Sequence, residues 1–509
     1  MTRTEHSMRN LRYALIFQTA AMITAFFTRY VFVSVLNQEY LGLDGTFSNL
    51  LVVLSLAELG VGEAITFSLY KPLAVRDIEK VRTLMELYRR VYRGIGIVIV
   101  ALAALLVPFL RVIIKDFPDT PEVYLIYAMF VANSALSYFF VYKQSLILAD
   151  QRRYLITVWR YGLWTVLYLV QAAILWLTRN YFLYLFLQLA ETLLENWILA
   201  RKADQLYPFL REISPSVPLD RRSRRAIVRN TKAMFLHKIG GAVVFNTDNL
   251  LLSYFIGVVS VGLYSNYLLI IKGLRNCYKM VFGAFTGSVG NLGATQGTAH
   301  TLRVYRRLNF IGNWIMGVCS ICLMVLFNSF LELWVGEEYL FAADIVFWIV
   351  VNFYVTGMRE VNQTFLNGLG LFWHMRYKSI AESVINLVVS IILVHPLGIS
   401  GIFMGTFVST MLTCFWVEPY ILFRYAFSQS SGWYFLQYGA NTLLTAAVGC
   451  FTWSLCEMLS GAGVILFLKK AVVCAVLPNV IFLLAFGKTK EFAFFRNFVQ
   501  SHIKRKRVC

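Results

Sequence analysis

Apolar residues in this chain run in blocks of about twenty or more, parted by short polar gaps. Twenty residues at 1.5 Å each cover the ~30 Å hydrocarbon layer of a bilayer. The blocks predict helices at roughly 11–36, 41–70, 91–114, 121–147, 154–178, 181–203, 229–257, 261–286, 304–328, 339–368, 376–394, 398–424, 434–456 and 463–487. Turn residues support the breaks: Pro118 with Pro121, Pro215 with Pro218, and the run His395-Pro396-Leu397-Gly398 all fall in gaps. The pattern is that of an all-α polytopic membrane protein with about fourteen transmembrane helices. Residues 71–90 instead alternate apolar and charged positions at helical spacing, which predicts an amphipathic helix lying on the inner membrane surface.

A Pro- and Arg-rich stretch divides the chain near its middle. The expected organisation is an N-terminal six-helix lobe over 1–203, a basic cytoplasmic linker over 204–228, and a C-terminal six-helix lobe over 229–424. An accessory helix pair over 425–487 (helices 13 and 14) and a basic cytoplasmic tail over 488–509 complete it. The sequence carries no strong residue-level repeat between the two halves.

Composition agrees with the pattern: 58% of residues are hydrophobic and 15% charged, with a mean hydropathy of +0.63. A soluble multidomain protein of 509 residues would need far more charged surface, and that class is excluded. The net charge of +20 does not point to nucleic acid, because the positive residues sit in the gaps. On one side the gaps and termini hold 36 Lys and Arg, against five on the other (Arg111, Lys115, Arg179, Lys469 and Lys470). Such a bias sets both termini in the cytoplasm and places the acidic 329–344 gap outside. The expected location is the plasma or inner membrane. The first apolar block lacks a small-residue cleavage site and is expected to stay as a helix. Seven of the eight cysteines lie in apolar blocks, and the Cys319/Cys322 CxxC has no second pair or nearby histidine, so packing is its reading and no metal site is inferred.

Ionisable groups inside apolar blocks cost about 2.5–3.5 kcal/mol each and need an explanation. Lys272, Arg275 and Lys279, spaced three and four apart, share one helical face beside Asn276. Three cations cannot face lipid tails together, so that face lines water or meets anions, although Lys279 could snorkel inward. Arg29 either faces a cavity or snorkels outward. Glu58 and Glu63 read as helix-packing partners, and Glu191 with Glu195 as a hydrated or paired face near the inner end of the sixth span. Arg359 and Glu360 either lie on a cavity or pair with other helices. Asp248, between Asn246 and Asn249, either takes part in a cation site or accepts hydrogen bonds from a neighbouring helix.

No Walker loop, HExxH or GxSxG motif is present, and no gap is long enough for a catalytic domain, so an enzyme is not expected. The second predicted span, EYLGLDGTFSNLLVVLSLAELGVGEAITFSLYKPLA, resembles the early segment of Wzx-type polysaccharide flippases. These belong to the wider superfamily that includes lipid II flippases and multidrug (MATE) exporters. A second run, NTDNLLLSYFIGVVSVGLYSNYLLI, carries the same resemblance.

The resemblance implies a MATE-like, two-lobed bundle whose central cavity opens alternately to each side. It implies a polyprenyl-pyrophosphate-linked oligosaccharide as substrate, moved from inner to outer leaflet for cell-surface polysaccharide assembly. Arg29, Lys272, Arg275, Lys279 and Arg359 are then the candidates to meet the pyrophosphate. Asp248, Glu382 and Asn386 are the candidates for a coupling sodium ion or proton, and no other cofactor is expected. Expected partners are the lipid-linked glycan, anionic membrane lipids and polysaccharide-assembly enzymes, with a monomer as working unit. The alternative within the same fold is a cation-coupled drug exporter, for which a basic cavity is the wrong polarity.

Overall fold

The computed structural model describes residues 3–55, 68–69, 72–73, 75–114, 121–150, 152–210, 225, 247–283, 285–295 and 297–497. Glu58, Glu63, most of the 204–228 linker and the tail beyond residue 497 lie outside the described residues. Among the described residues there is no strand. The chain divides into two compact units, Met1–Ser265 and Asn266–Cys509.

In the first unit α1 (Arg3–Val35) and α2 (Gln38–Leu54) are followed by α3 (Ile78–Leu106), α4 (Pro121–Phe140), α5 (Tyr142–Ala149), α6 (Arg153–Thr178) and α7 (Tyr181–Leu206). Local chemistry sets several ends. The Asp77 side chain accepts the Lys80 backbone N–H at 3.0 Å and starts α3. Arg179, in the left-handed region at φ 52°, ends α6, and Asn180 then caps α7 by accepting from the N–H groups of Phe182 and Leu183. The expected surface helix over 71–90 is corrected here. From Ile78 onwards its residues are the first turns of one continuous 29-residue helix that runs on into the apolar block. Its charged face persists because Glu86, buried at 6% exposure, pairs with Arg89 and Arg90 at 2.7 and 2.9 Å. The predicted 121–147 helix also bends, by 48°, between α4 and α5.

The eighth helix, α8 (Val258–Gly283), crosses the boundary between the units. Its first two turns pack on α2 so tightly that an added Cβ at Gly42 would collide with the Val258 carbonyl, and one at Gly262 would sit 2.9 Å from the Gly42 nitrogen. Small residues allow this approach, as in other membrane helix pairs.

The second unit continues with α9 (Thr286–Thr295), α10 (Thr298–Val335), α11 (Ala343–Met358), α12 (Glu360–Gly368), α13 (Lys378–Leu412), α14 (Cys414–Ile421), α15 (Gly432–Glu457) and α16 (Gly463–Phe486). The single span expected over 339–368 breaks at Arg359, between α11 and α12. At the predicted His395–Gly398 break, α13 is non-helical at Gly398 (φ 56°, ψ −133°) and its two arms fold back on each other. Asn386 Nδ2 donates to Thr406 Oγ1 at 2.8 Å, and Ser390 Oγ to the Ile402 carbonyl at 3.1 Å, which fixes the register of this hairpin. The accessory helices pack on α10 through Ile321, Val448 and Phe482.

Seven helices are long and apolar enough to cross a membrane among the described residues, or up to eight if the bent α4–α5 pair is one span. One of the seven, Lys378–Phe427, contains the fold-back at Gly398. The expected number of about fourteen is therefore not reproduced as a count. Several of these helices turn large apolar side chains outwards, for example Val464, Ile465, Leu468, Val472 and Leu484 on α16. Exposure on that scale suits lipid, and the protein is a multi-pass membrane protein.

Candidate substrate and ion sites

In the second unit α8 places Lys272, Arg275 and Lys279 on one face. At about 100° per residue they fall within a ~60° sector. Lys272 and Lys279 are exposed, Arg275 is half-buried, and α8 itself contains no acidic residue. Lys272 lies fourteen residues after Val258, about 21 Å along a helix of about 39 Å, so it is near mid-helix. Lys279 lies four residues from Gly283, where snorkelling is possible. The Glu360 carboxylate, at the start of α12, interacts electrostatically with both Arg275 and Lys279.

Arg359 has a different setting. It is 6% exposed, at the junction of α11 and α12. Its Nε and Nη2 donate to the two oxygens of Glu418 on α14, at 3.2 and 2.7 Å, a bidentate pair. Its Nη1 donates to Glu382 Oε1 at 3.2 Å, and Lys378 Nζ donates to Glu418 Oε1 at 2.6 Å. Thr410, on the returning arm of the hairpin, donates to Glu382 at 3.4 Å. Two cations meet two carboxylates, and the group is neutral. Removing one member of such a buried set costs about 3–5 kcal/mol.

The structure thus joins Arg359, a substrate candidate, to Glu382, a cation-site candidate. Asn386, one turn beyond Glu382, faces the second arm, and its Oδ1 is buried without a hydrogen bond among the described residues. Asp248 is in the first unit, 8% exposed, at the start of the turn that leads into a π-helical Leu252–Ile256. Beside it, Asn249 Oδ1 and Ser253 Oγ are buried without hydrogen-bond partners among the described residues.

Arg29, half-buried on α1, lies 5.7 Å over the Phe32 ring and interacts electrostatically with Asp44 on α2. Tyr181 donates to Asp44 Oδ1 at 3.3 Å. Lower in the same unit, Arg160 Nε donates to Glu195 Oε1 at 2.8 Å, and Arg160 Nη2 to Gln144 Oε1 at 3.1 Å. Gln144 Nε2 donates in turn to Asn196 Oδ1 at 3.2 Å.

Sequence reading singled out neither Lys378, Glu418, Asp44 nor Arg160. Glu418 had a usable signal, as an acid inside the apolar 398–424 block. Lys378 and Arg160 read as ordinary charges of the inner gaps, and only the packing shows that each meets a carboxylate.

The fold defines a class: a helical membrane protein whose architecture is shared with solved exporters and a flippase. Three solved structures illustrate the likeness. A multidrug resistance MATE transporter of the MOP superfamily, inward-facing, aligns with a TM-score of 0.63 at 16% identity, covering 80% of this chain and 98% of its own. The lipid II flippase MurJ, inward closed, aligns with a TM-score of 0.65 at 10% identity, covering 93% and 99%. A MOP superfamily transporter from Pyrococcus furiosus, whose reversed binding-pocket polarity suggests a different function, aligns with a TM-score of 0.52 at 14% identity, covering 83% and 95%. At these identities the likeness is one of fold. No family model matches the sequence, and no curated protein matches it either.

Proposed function

We propose that the protein is a flippase that moves a polyprenyl-pyrophosphate-linked oligosaccharide from the inner to the outer leaflet by alternating access. The observation that carries this reading is the basic face of α8. Lys272, exposed near mid-helix, and Arg275 one turn on sit on a helix that itself contains no acidic residue. Cations there are too costly to face lipid tails, and a diphosphate is the headgroup that needs them. The polyprenyl tail would stay in lipid while the headgroup crosses, and rocking of two lobes needs no bound nucleotide. Among the proteins of like fold, one is described as a lipid II flippase and another as having a pocket of reversed polarity, so the fold accommodates both the task and the charge.

The test is deletion of the gene followed by lipid analysis, with variants returned to the null strain. Glycan-lipid should accumulate on the inner leaflet in the null. Arg275→Gln and Lys272→Gln each remove one charge and keep most of the volume, so expression should match the parent. A charge-assisted hydrogen bond contributes about 1.5–3 kcal/mol, so each should lower transport by roughly ten- to a hundred-fold. Arg275→Lys should fall between Arg275→Gln and the parent, because the planar fork is lost. Lys279→Gln should do least. Normal transport in both the Lys272 and Arg275 variants would falsify the anion cradle. Export of cationic dyes by the parent, with no glycan-lipid effect, would favour the drug-exporter reading instead.

A further inference from the structure

In the second unit the buried charges cancel: Arg359 and Lys378 against Glu382 and Glu418. Among the described residues of the first unit, one buried site holds two acids and a single bonded cation. Glu191 and Glu195 lie one turn apart on α7, and Arg160 is bonded to Glu195. Glu191 is 9% exposed, and its Oε1 is fully buried with no hydrogen bond among the described residues. It stands ten residues after Tyr181, about 15 Å along the helix and close to the middle of the apolar span rather than at its inner end.

We propose that Glu191 is a proton-binding site of the first unit, occupied while Arg160 stays paired with Glu195. With both acids ionised the group would carry one negative charge at mid-membrane, and a proton on Glu191 removes it. Among the described side chains of α4, α5 and α6, no further cation is bonded to the pair. From α6 come Arg160, already bonded to Glu195, and Tyr168, which interacts electrostatically with both Glu191 and Arg29. The only cation of α5 is Lys143, whose ammonium is held by Asp204 at 2.7 Å. On α4 the sole charged residue is Glu122, in its first turn. A metal ion fits poorly, because such ions need several converging oxygens and Arg160 would repel one.

Binding is a proton added to one carboxylate oxygen, and release returns it to water. Release leaves Glu191 and Glu195 competing for Arg160, a two-state element that a proton gradient can bias. The use of this proton to drive transport rests on the flippase reading, whereas the site itself does not.

The test is infrared difference spectroscopy of the purified full-length protein in lipid as pH is raised, which detects the carbonyl band of a protonated carboxyl without any substrate. The parent should show such a band that disappears on alkalinisation. Glu191→Gln, a neutral isostere of the protonated acid, should fold as stably as the parent and lack the band, while Asp248→Asn should retain it. A parent without the band, a band that survives in Glu191→Gln or vanishes in Asp248→Asn, or a Glu191→Gln protein that fails to fold would each overturn the site. Failure of the flippase reading would appear as normal glycan-lipid distribution in the null strain and would leave this band untouched.

Discussion

Arg359, Arg275 and Arg29 are all arginines within apolar blocks, yet their surroundings differ. Arg359 is enclosed by two carboxylates, Arg275 shares Glu360 with Lys279, and Arg29 stands near Asp44 and an aromatic face. The enclosed group should be the one that matters for stability. Glu418→Gln keeps the volume but leaves Arg359 and Lys378 with Glu382 as the remaining carboxylate of the cluster. It should lower unfolding stability by about 3–5 kcal/mol, read as a fall in thermal midpoint of the purified protein. Lys279→Gln, on an exposed side chain, should leave the midpoint unchanged. Equal midpoints for the two variants would show that the Arg359 cluster is hydrated and contributes little.

Among the elements, the hairpin of α13 shows how backbone and packing act together. Gly398 takes a φ of +56° that other residues rarely adopt, and the two arms then close on small residues. An added Cβ at Gly405 would collide with Ser390, and one at Gly401 with the Leu393 carbonyl. Gly405→Val should push the arms apart, with loss of the Asn386–Thr406 and Ser390–Ile402 hydrogen bonds. Overpacking of this kind costs about 1–3 kcal/mol, and protease should then cut at or near the hairpin at lower temperature. Gly439→Ala, where nothing lies within 4 Å, should be neutral or stabilising by up to about 1 kcal/mol. A Gly405→Val protein as protease-resistant as the parent would mean that the arms do not close as described.

For the whole molecule, the prediction concerns orientation. The Glu337–Tyr339 turn exposes Glu337 and Glu338 between α10 and α11, and the charge bias predicts that it lies outside. On a background lacking native cysteines, Glu337→Cys should react with an impermeant thiol reagent in intact cells. Arg225→Cys, in the basic central stretch, should react only after permeabilisation. The reverse labelling would invert the protein and remove the basis for calling the linker and tail cytoplasmic.

The sequence alone carried the membrane class, the helical architecture and most helix positions among the described residues. Block length and the absence of water in a bilayer leave the backbone little choice. It also located the Gly398 turn and the common face of Lys272, Arg275 and Lys279, because turn residues and helical periodicity are local signals. The continuity of α3 was not legible, since an amphipathic stretch followed by an apolar one reads equally as a surface helix joined to a span. The partners of the buried charges were decided only by the tertiary structure. Glu418 is 59 residues from Arg359, and Glu195 is 35 from Arg160. Ion pairing depends on distance in space, which no local pattern encodes. For the same reason only the structure shows that Arg160 is bonded to Glu195 and not to Glu191.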